Sequence, residues 1–145
     1  MSPDLKPGLR HVQTLRVTPA ATVPGLAGTF PSFAGMPPVF ATAMLVGFAE
    51  WACIEALAPY LGAGERTVGT RVDLSHTAAT PIGMEVTAEV TLVAVEGRIL
   101  RFKVACRDEA GPIGEGTHER AVIDEARFLA KVAAKAEEAG RVRGV

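Results

Sequence analysis

Three residues stand out by type and place. His76 closes an apolar run in LSHTAATPIG, just before a Thr/Pro/Gly turn. Glu50 sits inside the apolar segment VFATAMLVGFAEWACIEALAPYL, which spans Val39 to Leu61. Thr42 precedes Glu50 by eight residues. A histidine, a carboxylate and a hydroxyl together suit general acid/base or carboxylate-nucleophile chemistry on an acyl group. They do not say which acyl group.

Each residue also has a plainer role. His76 alternates with Val72 and Leu74, so it should share their inward face. There it could be a core histidine with one satisfied hydrogen bond. Glu50 has Val46, Gly47, Cys53 and Ile54 at the i±3 and i±4 positions, and none is a cation. It could lie on a solvated helix edge, a role Glu55, about 140° further round, fits better. Thr42 is expected to cap the helix N-terminus. A cap would also set a hydroxyl and free N–H groups beside a site, where they can stabilise an oxyanion.

Other constellations are missing. The sequence has no GxSxG elbow, no P-loop and no GxGxxG after a strand. Gly114 and Gly116 make only a GxG. His118, in GTHER, has polar neighbours and reads as exposed as readily as functional. Cys53 and Cys106 lie in apolar runs and read as buried thiols, and no Cys/His spacing suggests a metal.

The elements must place these groups. Residues 1–9 and 140–145 read as loose ends. His11–Thr18 suits a first strand. Ala20–Pro38 is rich in Gly and Pro, and its Leu26, Phe30, Phe33 and Met36 suggest a cover over something. The helix follows, apolar nearly all round, so several of its sides should be covered. Next, TVGTRVDLSH is expected to turn Val68, Thr70, Val72, Leu74 and His76 inward and Gly69, Arg71, Asp73 and Ser75 outward. MEVTAEVTLVAVE and RILRFKVAC alternate cleanly, joined by a turn at Glu96-Gly97. IGEGTHERAVI is a further strand whose glycines suggest close backbone approach or a bulge. EARFLAKVAAKAEEAG is a terminal helix with Phe128, Leu129, Val132, Ala133 and Ala136 as its apolar stripe. One antiparallel sheet wrapped around one apolar helix is an α+β fold of the hotdog architecture, a single domain over 1–145. The surface left over should pair with a second copy, giving a homodimer.

Composition narrows the partners. The chain has 145 residues, 48% hydrophobic and 21% charged, with a net charge of −1. No basic surplus points to nucleic acid or an anionic membrane. The polar start, MSPDLKPGLR, lacks a signal peptide's apolar stretch, so a cytoplasmic protein is expected. The apolar segment carries Glu50, Glu55 and Pro59, and a central carboxylate costs roughly 2.5 kcal/mol or more in a bilayer helix. A helix inside a soluble domain is the better reading.

The stretches PPVFATAMLVGFAEWACIEALAPYL, VGTRVDLSHTAATPIGMEVT, VEGR and GTHERAVI, in this order and spacing, closely resemble the fluoroacetyl-CoA thioesterases and their relatives in the hotdog superfamily. The likeness runs from about His11 to Lys135. It implies a dimeric thioesterase that hydrolyses a short-chain acyl-CoA, with no cofactor or metal. It carries catalytic roles onto Thr42, Glu50 and His76, and a carbonyl-holding role onto the Gly69 backbone. Arg120 would lie at the site or at CoA, and Val23 to Phe40 would form a lid over the acyl pocket. Phe33 matches a lid phenylalanine of that family, but Met36 replaces a second one. Methionine is flexible and fills space loosely, so the lid should be less shape-selective and suit an ordinary short or modestly bulky acyl-CoA. The rival readings are a hotdog protein that binds acyl-CoA or another apolar ligand without hydrolysis, and a hotdog hydratase or dehydratase.

Overall fold

The computed structural model describes residues 1–144. Five antiparallel strands form one sheet: β1 (Arg10–Arg16), β2 (Glu65–Leu74), β3 (Glu85–Glu96), β4 (Ile99–Asp108) and β5 (Pro112–Asp124), in the order β1-β3-β4-β5-β2. Helix α1 (Thr42–Leu57) lies across the concave face, and α2 (Glu125–Val142) follows β5. Period-two alternation supplies the core. Val86, Ala88, Val90 and Leu92 of β3, and Leu100, Phe102, Val104 and Cys106 of β4, are buried against Leu45, Phe48, Ala49, Ala52, Cys53, Ala56 and Leu57 of α1. Each large apolar side chain so buried contributes roughly 1.5–3 kcal/mol. Both cysteines are free and buried, and burial pushes the Cys53 thiol up to about 12 and Cys106 to about 11.

Strand β2 departs from simple alternation. Its pairing with β5 shifts register between Gly69 and Arg71, leaving Thr70 as the extra residue of a bulge. Before the bulge, Thr67 and Gly69 pair with the buried Val122 and Arg120; after it, Val72 pairs with the buried His118. Paired residues share a face. Thr67 and Gly69 therefore face α1, where Val68 and Thr70 were expected, while Val72 and Leu74 keep the expected side. One extra residue swaps the faces because the side-chain period is two.

Past Leu74 the chain still follows β5, through Ser75 N–H to the Glu115 carbonyl (2.9 Å) and Thr77 N–H to the Ile113 carbonyl (2.7 Å). A Cβ on Gly114 would lie 2.1 Å from the Ser75 carbonyl oxygen, and one on Gly116 1.8 Å from that of Asp73. The two glycines thus permit the close backbone approach that fixes the segment carrying His76.

Other expectations need revision. Residues 1–9 are docked, not loose: Leu5 joins the core and Ser2 N–H donates to the Tyr60 carbonyl at 2.7 Å. Helix α2 continues to Val142, into the stretch expected to be loose; Val145, also in that stretch, lies outside the described residues. The α2 stripe is not buried, and Phe128, Leu129 and Val132 stay exposed. Helix α1 with the short turn after it, Thr42–Tyr60, is long and apolar enough to cross a membrane, yet its inner face is the core of this domain. Only that one side is covered. Trp51 and Ile54 on the opposite side are 40% and 42% exposed, since one chain supplies only one sheet.

Candidate active site

Thr42 opens α1. Ala41 occupies the cap position, and no side chain caps the helix. Thr42 is therefore the first helical residue and not the cap. Its Oγ1 lies 2.8 Å from His76 Nδ1. Among the described residues no group satisfies His76 Nε2, although that atom is buried. Burial lowers the pKa of His76 below the ordinary value, and the Ala78 backbone partly offsets this. The ring is neutral at pH 7, able to accept a proton. Phe40, at the end of the lid segment, presents its ring edgewise to His76, with centroids 6.4 Å apart.

Glu50 stands two turns further along α1. Eight residues at ~1.5 Å each separate it from Thr42 by about 12 Å of helix. Its partner is a cation from another element. Arg120 Nη1 donates to Glu50 Oε2 at 3.0 Å; the Arg120 side chain is 3% exposed and that of Glu50 39%. Arg120 is further held by Thr67, Nε to Oγ1 and Nη2 to the carbonyl, both at 2.9 Å. A buried guanidinium needs such partners, because stripping water from a charge is costly. His118 completes the group: it is 2% exposed and lies 3.1 Å from Arg120 Nη1.

Gly69 borders the same carboxylate. A Cβ there would come within 3.1 Å of Glu50 Oε2 and 3.3 Å of the His118 ring. Its lack of a side chain keeps an open recess of about 310 Å³, lined by Glu50, Gly69, Thr70, Arg71, Val72 and His118.

The site residues named from the sequence thus fall into two groups. Thr42 joins His76; Glu50 joins Gly69 and Arg120. Glu50 is not the partner of His76 in one protomer. Phe33 and Met36 are in neither group. The lid segment is tied at its base by Val23 N–H to the Val39 carbonyl (3.0 Å) and Phe40 N–H to the Thr80 carbonyl (2.9 Å). Between those ties it runs through short 3-10 turns with Phe30 and Phe33 packed at 5.0 Å, and Phe30 and Met36 exposed. Sequence reasoning missed His118 and Thr67. The usable signal was period two along β5, where His118, Arg120 and Val122 share one face.

A single sheet curled about one helix, with a hydroxyl–histidine pair and an arginine-held carboxylate along that helix, defines a hotdog-fold thioesterase. Residues 20–126 match the family model for fluoroacetyl-CoA-specific thioesterase. The chain belongs to that family. It is 47% identical over 135 residues to fluoroacetyl-CoA thioesterase from Streptantibioticus cattleyicolor, covering 93% of this chain and 97% of the relative. A solved structure of the fluoroacetyl-CoA thioesterase FlK superposes with a TM-score of 0.87 at 47% identity, over 90% of this chain and 97% of that one. A thioesterase superfamily member from Thermus thermophilus, 28% identical, superposes with a TM-score of 0.85 over 94% and 96% of the two chains.

Proposed function

We propose that this protein hydrolyses a short-chain acyl-CoA to the free acid and CoA. The single observation that carries the reading is Glu50: a half-exposed carboxylate on an apolar helix, held by a buried arginine and facing an open recess beside a glycine. Arg120 fixes Oε2 and leaves Oε1 free. That oxygen either attacks the thioester carbon, expelling the CoA thiolate and leaving an anhydride for water to open, or takes a proton from the attacking water. In the first route His76 takes a proton at Nε2 from the water that opens the anhydride and hands it to the CoA thiolate; in the second, Glu50 itself hands the water's proton to the thiolate. Thr42 accepts from His76 Nδ1–H and turns its own hydrogen toward the carbonyl oxygen. The Gly69 backbone borders the carbonyl. Met36, in place of a lid phenylalanine, loosens the fit around the acyl group, so ordinary short acyl chains are accepted beside fluoroacetyl.

The working unit is a homodimer in this reading, so that the Glu50 group of one protomer and the Thr42–His76 group of the other can act on one thioester. Strand β2 is a sheet edge, and the uncovered side of α1 carries Trp51 and Ile54. An open edge beside an apolar stripe is an association surface. Trp51→Glu should convert dimer to monomer in light scattering; an unchanged dimer places the interface elsewhere.

The test of function is thiol release from acetyl-, propionyl-, butyryl- and fluoroacetyl-CoA. Release by wild type, lost in Glu50→Ala, supports hydrolysis. Tight binding of acyl-CoA without release favours a binding protein, and water uptake by an enoyl-CoA without loss of CoA favours a hydratase. A single turnover in oxygen-18 water that labels Glu50 assigns the anhydride route; no label assigns activated water.

A further inference from the structure

His118 lies two residues before Arg120 on β5, so both side chains point to the same face. Its Nδ1 is 2.7 Å from the Arg71 carbonyl oxygen. A carbonyl can only accept, so Nδ1 carries the hydrogen. Its Nε2 is 3.1 Å from Arg120 Nη1. A guanidinium can only donate, so Nε2 offers its lone pair. Two unrelated partners thus demand one state of the ring: neutral, with the hydrogen on Nδ1. A doubly protonated ring would aim an N–H at the guanidinium.

The ring's surroundings favour that state. Burial lowers its pKa most; the bond to Arg71 opposes this, the Arg120 charge lowers it, and Glu50 and Glu119 raise it. Those three side chains are the charged groups acting on it, from β5 and α1. Opposite it on β4 and β2 stand Phe102 and Val72, which carry no charge.

The guanidinium is clamped along two edges. Thr67 takes Nε and Nη2, while Nη1 divides its two hydrogens between Glu50 and His118. His118 also reaches the backbone at Arg71, where β2 resumes pairing after its bulge. We infer that His118 is a positioning residue for the Glu50 carboxylate, acting through Arg120. It aims the Nη1 hydrogen at Oε2 and ties that aim to the bulge that presents Gly69. This rests on the reading of Glu50 as the reacting carboxylate.

Two substitutions divide the ring's bonds. In His118→Gln the side-chain oxygen can stand where Nε2 stands and still accept from Arg120, but the bond to Arg71 is lost. In His118→Asn the amide can stand where Nδ1 stands and still donate to Arg71, but Arg120 loses its acceptor. The experiment measures kcat and KM of both variants on propionyl-CoA, beside nitrogen-15 NMR of the histidine rings in wild type. Misplacing a reacting group by about 1 Å can cost roughly 100-fold, so Asn should lower kcat by at least ~30-fold with KM within ~3-fold, and Gln by no more than ~10-fold. The NMR spectrum should show His118 neutral with its hydrogen on Nδ1 at pH 7. An active Asn variant, or Gln falling as far as Asn, would overturn the inference and leave His118 a support for the bulge. A hydrogen on Nε2 overturns it whatever the kinetics show. Wild type that releases no thiol sinks the functional reading instead; the tautomer then decides whether His118 orients Arg120.

Discussion

The two ends of the site are built on different principles. Thr42 and His76 form a neutral pair with one hydrogen bond, and His76 keeps a buried nitrogen with no partner. Glu50 and Arg120 form a charged pair in which Glu50, Thr67 and His118 engage four of the guanidinium's five N–H groups. A charge must be supported from every side when it leaves water, whereas a neutral imidazole can be left half satisfied. The contrast assigns tasks: the charged end holds still and the neutral end has a bonding position to spare for a proton.

The largest effect tests the charged end. Glu50→Ala should lower kcat/KM by about 10³-fold or more, the upper part of the range for positioned acid/base groups. Retention of a tenth of the activity would move the chemistry away from α1. His76→Ala should cost about 100-fold. Were its loss the greater of the two, the neutral end would carry the chemistry and the contrast would reverse.

Gly69→Ala probes the space beside the carboxylate. Its new Cβ, 3.1 Å from Oε2, forces a shift of a few tenths of an ångström, and kcat should fall by about tenfold with the fold intact. Wild-type rates in this variant would show that the recess there is not used. The smallest effect concerns acid. His76 and His118 both have pKa values lowered from the ordinary 6.5, chiefly by burial. The unfolded chain therefore binds these protons first, and their share of stability is complete above about pH 6.5 and lost as pH falls through the folded values. Thermal melts from pH 7.5 to 5 should show a falling Tm, with a shallower fall in His118→Gln. Equal slopes would mean that His118 is not held neutral.

Much of this arrangement was legible in the sequence. Strands β3 and β4 alternate without interruption, and their inward residues could be read off directly. Thr42, Glu50 and His76 stood out because polar groups in apolar runs need a reason. What escaped came from pairing across the sheet. Arg120 reaches Glu50 over a sequence separation of 70, beyond any local spacing rule. His118 hid among polar neighbours because the eye follows the string and burial follows every second residue. The faces of the first half of β2 were misread because a bulge is an event between two strands, seldom visible in one. The exposed stripes of α1 and α2 show the opposite limit: apolar periodicity announces a surface to be covered without saying by which chain.

The bulge gives position 70 an unusual genetic character. Thr70 counts as one residue more than as a threonine, because the bulge leaves it out of the ladder while Gly69 pairs with Arg120 and Arg71 with Glu119. Most substitutions there should pass a selection for activity. Loss of the single codon should pass as well, since Gly69 and Arg71 would become neighbours, pair with Arg120 and Glu119 as before, and leave Thr67 and Gly69 facing the helix. A library of deletions would score position 70 as free and position 68 as essential, because Thr67 and Gly69 as neighbours could not both face the helix.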